Sequence, residues 1–116
     1  MSYKQKFTVK RSKWANAHSV EDTNAIQLSN YLGMCCLGFV CLQLGAKEEE
    51  INNIDAPEGA KTNKILGRLV DEFGRHLKWV NRAMAINDDL GISNPTREHL
   101  LTELFQENGY DLEFVD

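Results

Sequence analysis

The chain has 116 residues, of which 42% are hydrophobic and 26% charged, with 2 prolines and 8 glycines. That is the composition of a single folded domain over 1–116, and it excludes disordered and collagen-like chains. The longest apolar run, nine residues from Met34 to Leu42, is too short for a membrane-spanning helix, which needs about 20. The net charge of −4 argues against direct nucleic-acid binding, whose footprint is a basic domain or face. No apolar signal core follows the N-terminal lysines, so a cytoplasmic protein is expected. Three cysteines, two of them adjacent, make a poor disulfide framework and read as reduced thiols.

Five of the 13 basic residues (Lys4, Lys6, Lys10, Arg11, Lys13) lie in the first 13 positions without an acid, leaving 8 basic against 17 acidic residues beyond them. The basic strip reads as an edge strand guarded by lysines against edge-to-edge pairing. Within it Phe7, Val9 and Tyr3 alternate with polar residues, the period of a half-buried strand. Tyr110, Leu112 and Phe114 alternate with Asp111, Glu113 and Asp116 after a turn-permitting Asn108-Gly109, and define a last strand. Basic and acidic strands side by side gain about 0.2–1 kcal/mol per cross-strand pair, so the two are expected to be neighbours.

Between the strands the spacing is helical. Ala25, Ile26 and Leu28 lead into a dense core helix from Leu32 to Leu44, with Met34, Leu37, Val40, Cys41 and Leu44 on one stripe and Gly45 as its cap. A short acidic helix is expected within Ala46 to Ile54, and a loop with Pro57 and Gly59 over Asp55 to Thr62. Ile65, Leu66, Leu69, Val70 and Phe73 predict a helix that stops at Gly74. Leu77 to Ile86 suits a helix better than a strand. Asn94-Pro95 marks a helix start, with Asn94 as N-cap and a helix from Pro95 to Asn108 that buries Leu100, Leu101, Leu104 and Phe105. The fold class is therefore α+β: terminal strands paired in a small sheet, with several helices packed on one side.

Met34-Cys35-Cys36-Leu37-Gly38 admits four readings. Zinc is disfavoured, because Cys35, Cys36 and Cys41 lack paired C-x-x-C spacing and no histidine pair is near. A thiol nucleophile would need Cys35 or Cys36 at a helix start with His18, His76 or His99 alongside, and Asn87 or Asp88 to orient the imidazole. Redox sensing ranks lower. The preferred reading is structural: buried cysteines as small hydrophobes, with Gly38 allowing another backbone close to the helix. Asn87 and Asp88 read as the end of a helix and the shape of the loop beyond it; a metal site at Asp88 and Asp89 would need oxygen ligands that the sequence does not supply. Trp79 reads as core, and Trp14, among basic and polar neighbours, as an exposed binding anchor.

Taken together, these strings resemble a family of small proteins of bacteriophages and prophages. The resemblance rests on Arg11-Ser12-Lys13-Trp14, the glycine-Met-Cys-Cys-Leu-Gly-Phe string Gly33 to Phe39, the acidic helix and proline of Glu48 to Pro57, Ala83 to Asp89, and Arg97 to Val115. It covers most of the chain, least well Lys61 to Leu77, and departs from the family at Ala15-Asn16-Ala17-His18, where relatives have a glycine-rich or acidic loop. It implies a phage accessory protein made inside a bacterial cell, acting by binding and blocking a host component such as a CRISPR-type defence complex.

The expected function is thus non-catalytic inhibition of a host protein or nucleoprotein complex. Glu98, Glu103, Glu107, Glu113 and Asp116, with Trp14, would form the binding surface. No cofactor or metal is expected. The alternative is a small-ligand or nucleotide-signal-binding protein, or a thiol enzyme, with a pocket at Cys35, Cys36, Asn87 and Asp88 and His99 as a candidate base. A homodimer is compatible with the sequence, which marks no interface for it.

Overall fold

A computed structural model describes residues 5–20, 25–60 and 62–116. The elements in chain order are β1 (Gln5–Lys10), a 3-10 turn (Arg11–Lys13), α1 (Cys36–Gln43), α2 (Glu48–Ile51), a 3-10 turn (Pro57–Gly59), α3 (Lys78–Asn87), α4 (Asn94–Glu107) and β2 (Tyr110–Val115). The fold class is α+β, as the alternating termini and helical middle predict. Tyr3 and Lys4, assigned above to the first strand, lie outside the described residues.

β1 and β2 pair in parallel, in register from Gln5 opposite Tyr110 to Lys10 opposite Val115. Phe7, Val9 and Leu112 turn inward and are buried, while Lys6 and Lys10 face out. The opposite charges meet as expected: Lys6 pairs with Glu113, and Arg11 reaches Glu98 at 2.7 Å and Asp116 at 3.1 Å. On the side of β1 away from β2, the Gln43 side chain stands in for a third strand. Its Oε1 accepts from the Thr8 N–H at 2.8 Å and its Nε2 donates to the Thr8 carbonyl at 2.7 Å. Edge backbone groups are thus satisfied without leaving room for a foreign strand at that point.

α1 lies at the centre, buried from Cys36 to Cys41. It starts later than its apolar run, because Asn30 and Gly33 close a tight turn through reciprocal backbone hydrogen bonds of 2.9 and 3.0 Å. Gly33 adopts φ +126° there, and a Cβ on it would meet the Lys13 carbonyl oxygen at 2.4 Å. α4 is capped one residue earlier than predicted, by the Ser93 hydroxyl accepting from the Thr96 N–H, so that Asn94 and Pro95 form the first turn. α4 then reverses through Gly109 into β2 and packs along it. Phe105 sits edge-on to Phe7 (centroids 6.3 Å) and to Trp79 (5.1 Å).

The predicted helix over Ile65 to Phe73 does not form. Ile65, Leu69 and Val70 are buried, but Leu66 and Phe73 are exposed. The segment is a run of turns in which Val70 bridges both Leu66 and His76. Gly67, at φ +74° in the middle of the run, places a left-handed residue where a helix would need a right-handed one. The apolar residues recur at helical intervals but serve as separate pegs under a loop.

Candidate functional site

The residues singled out in the sequence converge on a joint between the C-terminus of α3 and the N-terminus of α1. Asn87, the last residue of α3, is 1% exposed. Its Oδ1 accepts from the Trp14 indole N–H at 2.7 Å and from the Cys36 backbone N–H at 3.2 Å. Its Nδ2 donates to the Ala15 carbonyl at 3.0 Å and to Asp88 at 2.9 Å. Cys35 occupies the N-cap position of α1 but supplies no side-chain cap. Asn87 does so from 51 residues away, satisfying a helix N–H that has no partner of its own. Replacing Asn87 by Ala leaves the Trp14 and Cys36 N–H groups and the Ala15 carbonyl buried without partners. The expected cost is about 3 kcal/mol, read as a lower urea midpoint at unchanged slope; a midpoint within error of wild type would mean that these groups find other partners.

Trp14 is correspondingly buried, 5% exposed, against the expectation of a surface anchor. Its ring lies 4.8 Å from that of Phe114, and its only polar atom is held by Asn87. Of the polar neighbours that suggested exposure, Asn16 is drawn inward, its Oδ1 accepting from the His18 N–H, while Ser12, Lys13 and His18 stay exposed around the buried ring.

Arg97 completes the joint. It is 0% exposed, and its guanidinium donates to the carbonyls of Ile86, Asn87, Asp89 and Ile92 and to Asn94 Oδ1. These are the last carbonyls of α3 and the loop that leaves it, the negative end of that helix. No sequence feature marks Arg97 out, because an arginine in a first helical turn is ordinary until α3 is seen ending on it.

The cysteines are structural in their surroundings. All three are reduced and buried, and burial pushes the Cys35 and Cys41 thiols up to about 12 and the Cys36 thiol well above its usual value. The carboxylate of Asp88, itself raised by desolvation, disfavours rather than promotes a thiolate at Cys35 and Cys36. The histidines are occupied elsewhere. His18 bonds the Ile92 carbonyl, the His76 ring accepts from the Glu58 N–H and lies against Asn81, and His99 pairs with Glu103 at 2.8 Å on the exposed face of α4. A crevice does open at Cys35, Asn87 and Asp88, beside Ile26, Asp55 and Met84, but its volume of about 20 Å³ is room for about one water. Among the described residues no group of three histidine, cysteine or acidic side chains is arranged to hold a metal. In the native protein all three thiols should resist a thiol reagent over hours and react together on unfolding in denaturant; one fast-reacting thiol would place a thiolate where none is expected.

The acidic residues divide into two sets. Glu98, Glu113 and Asp116 are tied to Arg11 and Lys6 at the end of the sheet. Glu103 and Glu107 instead border a groove of about 180 Å³ between α3 and α4, with Leu100, Leu104 and Ile86 in its walls and Arg82 across from the acids. A larger cavity of about 420 Å³, which the sequence did not reveal, lies where the Asn30–Gly33 turn meets α1 and the start of α2. Its signal was the pair Tyr31-Leu32 between two turn-forming residues, apolar side chains at a place where turns expose them.

The structure thus defines a small α+β protein whose most polar buried site is a structural joint and whose open concavities are surface grooves. No family model, no curated protein and no solved structure matches the chain. Among the described residues, no helix is long and apolar enough to cross a membrane.

Proposed function

We propose that the protein is a non-catalytic binding protein, a phage-encoded accessory factor of the bacterial cytoplasm that occupies a basic surface of a host protein or nucleoprotein complex. The observation that carries this reading is the placement of Glu103 and Glu107. Both stand exposed on the rim of a groove whose walls are leucine and isoleucine, the combination of apolar floor and charged border that suits a protein surface. Glu98, Glu113 and Asp116 extend the acidic character only in part, since each already has a cation, and Glu103 itself bonds His99 while Arg82 lines the same groove. The phage setting and the host-blocking role come from the resemblance carried by Gly33 to Phe39 and the strings around it.

The buried, protonated thiols and the occupied histidines support binding over thiol chemistry. The test is affinity capture from a host lysate with the wild-type chain and with Glu103→Lys/Glu107→Lys, bound proteins and small molecules both being identified by mass spectrometry. The expected result is a stoichiometric host protein with wild type that is lost with the double reversal. Equal capture by both would remove α4 as the binding surface, and a co-purifying metabolite without protein would replace the reading with a small-ligand one.

A further inference from the structure

The 420 Å³ cavity and the turn that walls it have features that the proposed function does not use. Tyr31 is 92% exposed and Leu32 36%, on a turn of only four residues. That turn is rigid: besides the reciprocal Asn30–Gly33 bonds, Asn30 Oδ1 accepts from the Leu32 N–H at 2.9 Å, and its Nδ2 donates to the Ala25 carbonyl and to Gln27. It is stitched to the segment behind it, the Met34 N–H donating to the Lys13 carbonyl at 2.8 Å and the Ala15 N–H to the Met34 carbonyl at 2.7 Å. An aromatic ring is therefore carried into solvent on a well-bonded turn. The ring and Leu32 themselves form part of the wall of a hollow that Met34 and Leu42 also line, with Lys13 and Glu48 at its border. Neither charge forms an ion pair among the described residues.

We infer that this face is self-complementary and pairs two copies of the chain about a two-fold axis, the Tyr31–Leu32 knob of each copy entering the cavity of the other. A two-fold interface requires one patch to carry both halves of every contact, and this patch does. The knob and the hole adjoin, so each copy supplies one of each. The cation and the anion both border the hole, so Lys13 of one copy meets Glu48 of the other, twice. The hollow is ample for a tyrosine ring and a leucine side chain, and the two Tyr31 rings meet near the axis, where aromatic pairs favour offset or edge-on contact. One knob and one cavity per copy make a small interface, below about 1,200 Å² in total, the size of transient rather than obligate contacts. The pairing shares no residue with the α4 groove and stands or falls independently of the proposed function.

Sedimentation or light scattering of the full chain across a concentration series tests this, with three variants. Tyr31→Ala should raise the dimer dissociation constant about thirtyfold or more, the loss typical of a central aromatic anchor. Because Tyr31 is exposed, its circular dichroism and melting should match wild type. Lys13→Glu should also weaken pairing, by placing two acids together, and Lys13→Glu with Glu48→Lys should restore it. A chain that stays monomeric up to about 1 mM overturns the proposal, including the case in which a small molecule or a different protein fills the cavity. A dimer indifferent to Tyr31→Ala, or a double swap no better than the single one, overturns it equally by placing the contact on another face.

Discussion

Arg97→Met is expected to lower stability by about 4 kcal/mol, because it removes several buried hydrogen bonds from a charged donor, each contributing about 1.5–3 kcal/mol. The side chain is completely buried, and its guanidinium is the shared donor for four backbone carbonyls and Asn94 Oδ1. Methionine fills the volume but takes the donor from the Asp89 carbonyl and Asn94 Oδ1, and leaves the Ile86, Asn87 and Ile92 carbonyls with only the Asp89 N–H, the Ala17 N–H and His18. Desolvation lowers the affinity of Arg97 for its proton, and Asp89 and Asp88 work in the opposite direction. The group stays charged, because its usual value is so high. In a chain of this size the loss should move the melting midpoint down by roughly 15 °C. Arg97→Lys should recover little of it, since one ammonium cannot reach acceptors spread around a planar fork. Urea melts followed by the fluorescence of Trp14 and Trp79 would measure both; a loss under about 1 kcal/mol would mean that water replaces the guanidinium.

Gly38→Ala carries the second large effect, and here two tendencies oppose each other. In an isolated helix the change is favourable by about 1 kcal/mol. In this protein a Cβ at position 38 would lie 1.8 Å from the Leu28 carbonyl oxygen and 2.8 Å from its carbon. Both obstructing atoms are backbone, and Leu28 is anchored by its N–H to the Ile54 carbonyl at 2.8 Å, so the strain cannot be relieved by a rotamer change. The clash should outweigh the propensity and leave a net loss of about 3 kcal/mol or more. A neutral or stabilising outcome would show that the 25–30 segment can move off α1.

Much of this architecture was readable in advance, for reasons that differ from element to element. β1 and β2 announced themselves by alternation, and their adjacency by opposite charge, because each faces the core with one side only. Their parallel direction was not readable, since side-chain charge pairs form equally well either way. α4 was marked by proline and by its leucines, and the one-residue error at its cap arose because Ser93 and Asn94 are both good caps and only geometry chooses between them. Gly38 was seen as a point of backbone approach, and the Leu28 carbonyl fills that role. The stretch from Ile65 to Phe73 failed because periodicity records where apolar residues fall, whereas the left-handed Gly67 inside the run decides what the backbone does. Within the site, Asn87 was legible as a helix-ending residue. Its grip on Trp14 and α1 was not, since those bonds span 73 and 51 residues. Arg97 was invisible for the same reason: its partners are backbone groups, which every sequence possesses.

The pairing of β1 with β2 joins residues 105 positions apart. On a ribosome, β1 emerges before any of the elements that bury it, and the only strand to which it bonds among the described residues follows nearly everything else. Until Tyr110 to Val115 have been made, Phe7 and Val9 have no sheet to belong to, and α1 lacks the floor beneath it. The Lys6, Lys10, Arg11 and Lys13 charges around those two apolar residues are then more than an ornament of the finished surface: they keep a nascent strand in solution through the whole time of synthesis. The contacts that close the sheet are also among the most distant in sequence, so the entropy of bringing the two ends together weighs on folding more than the making of its helices.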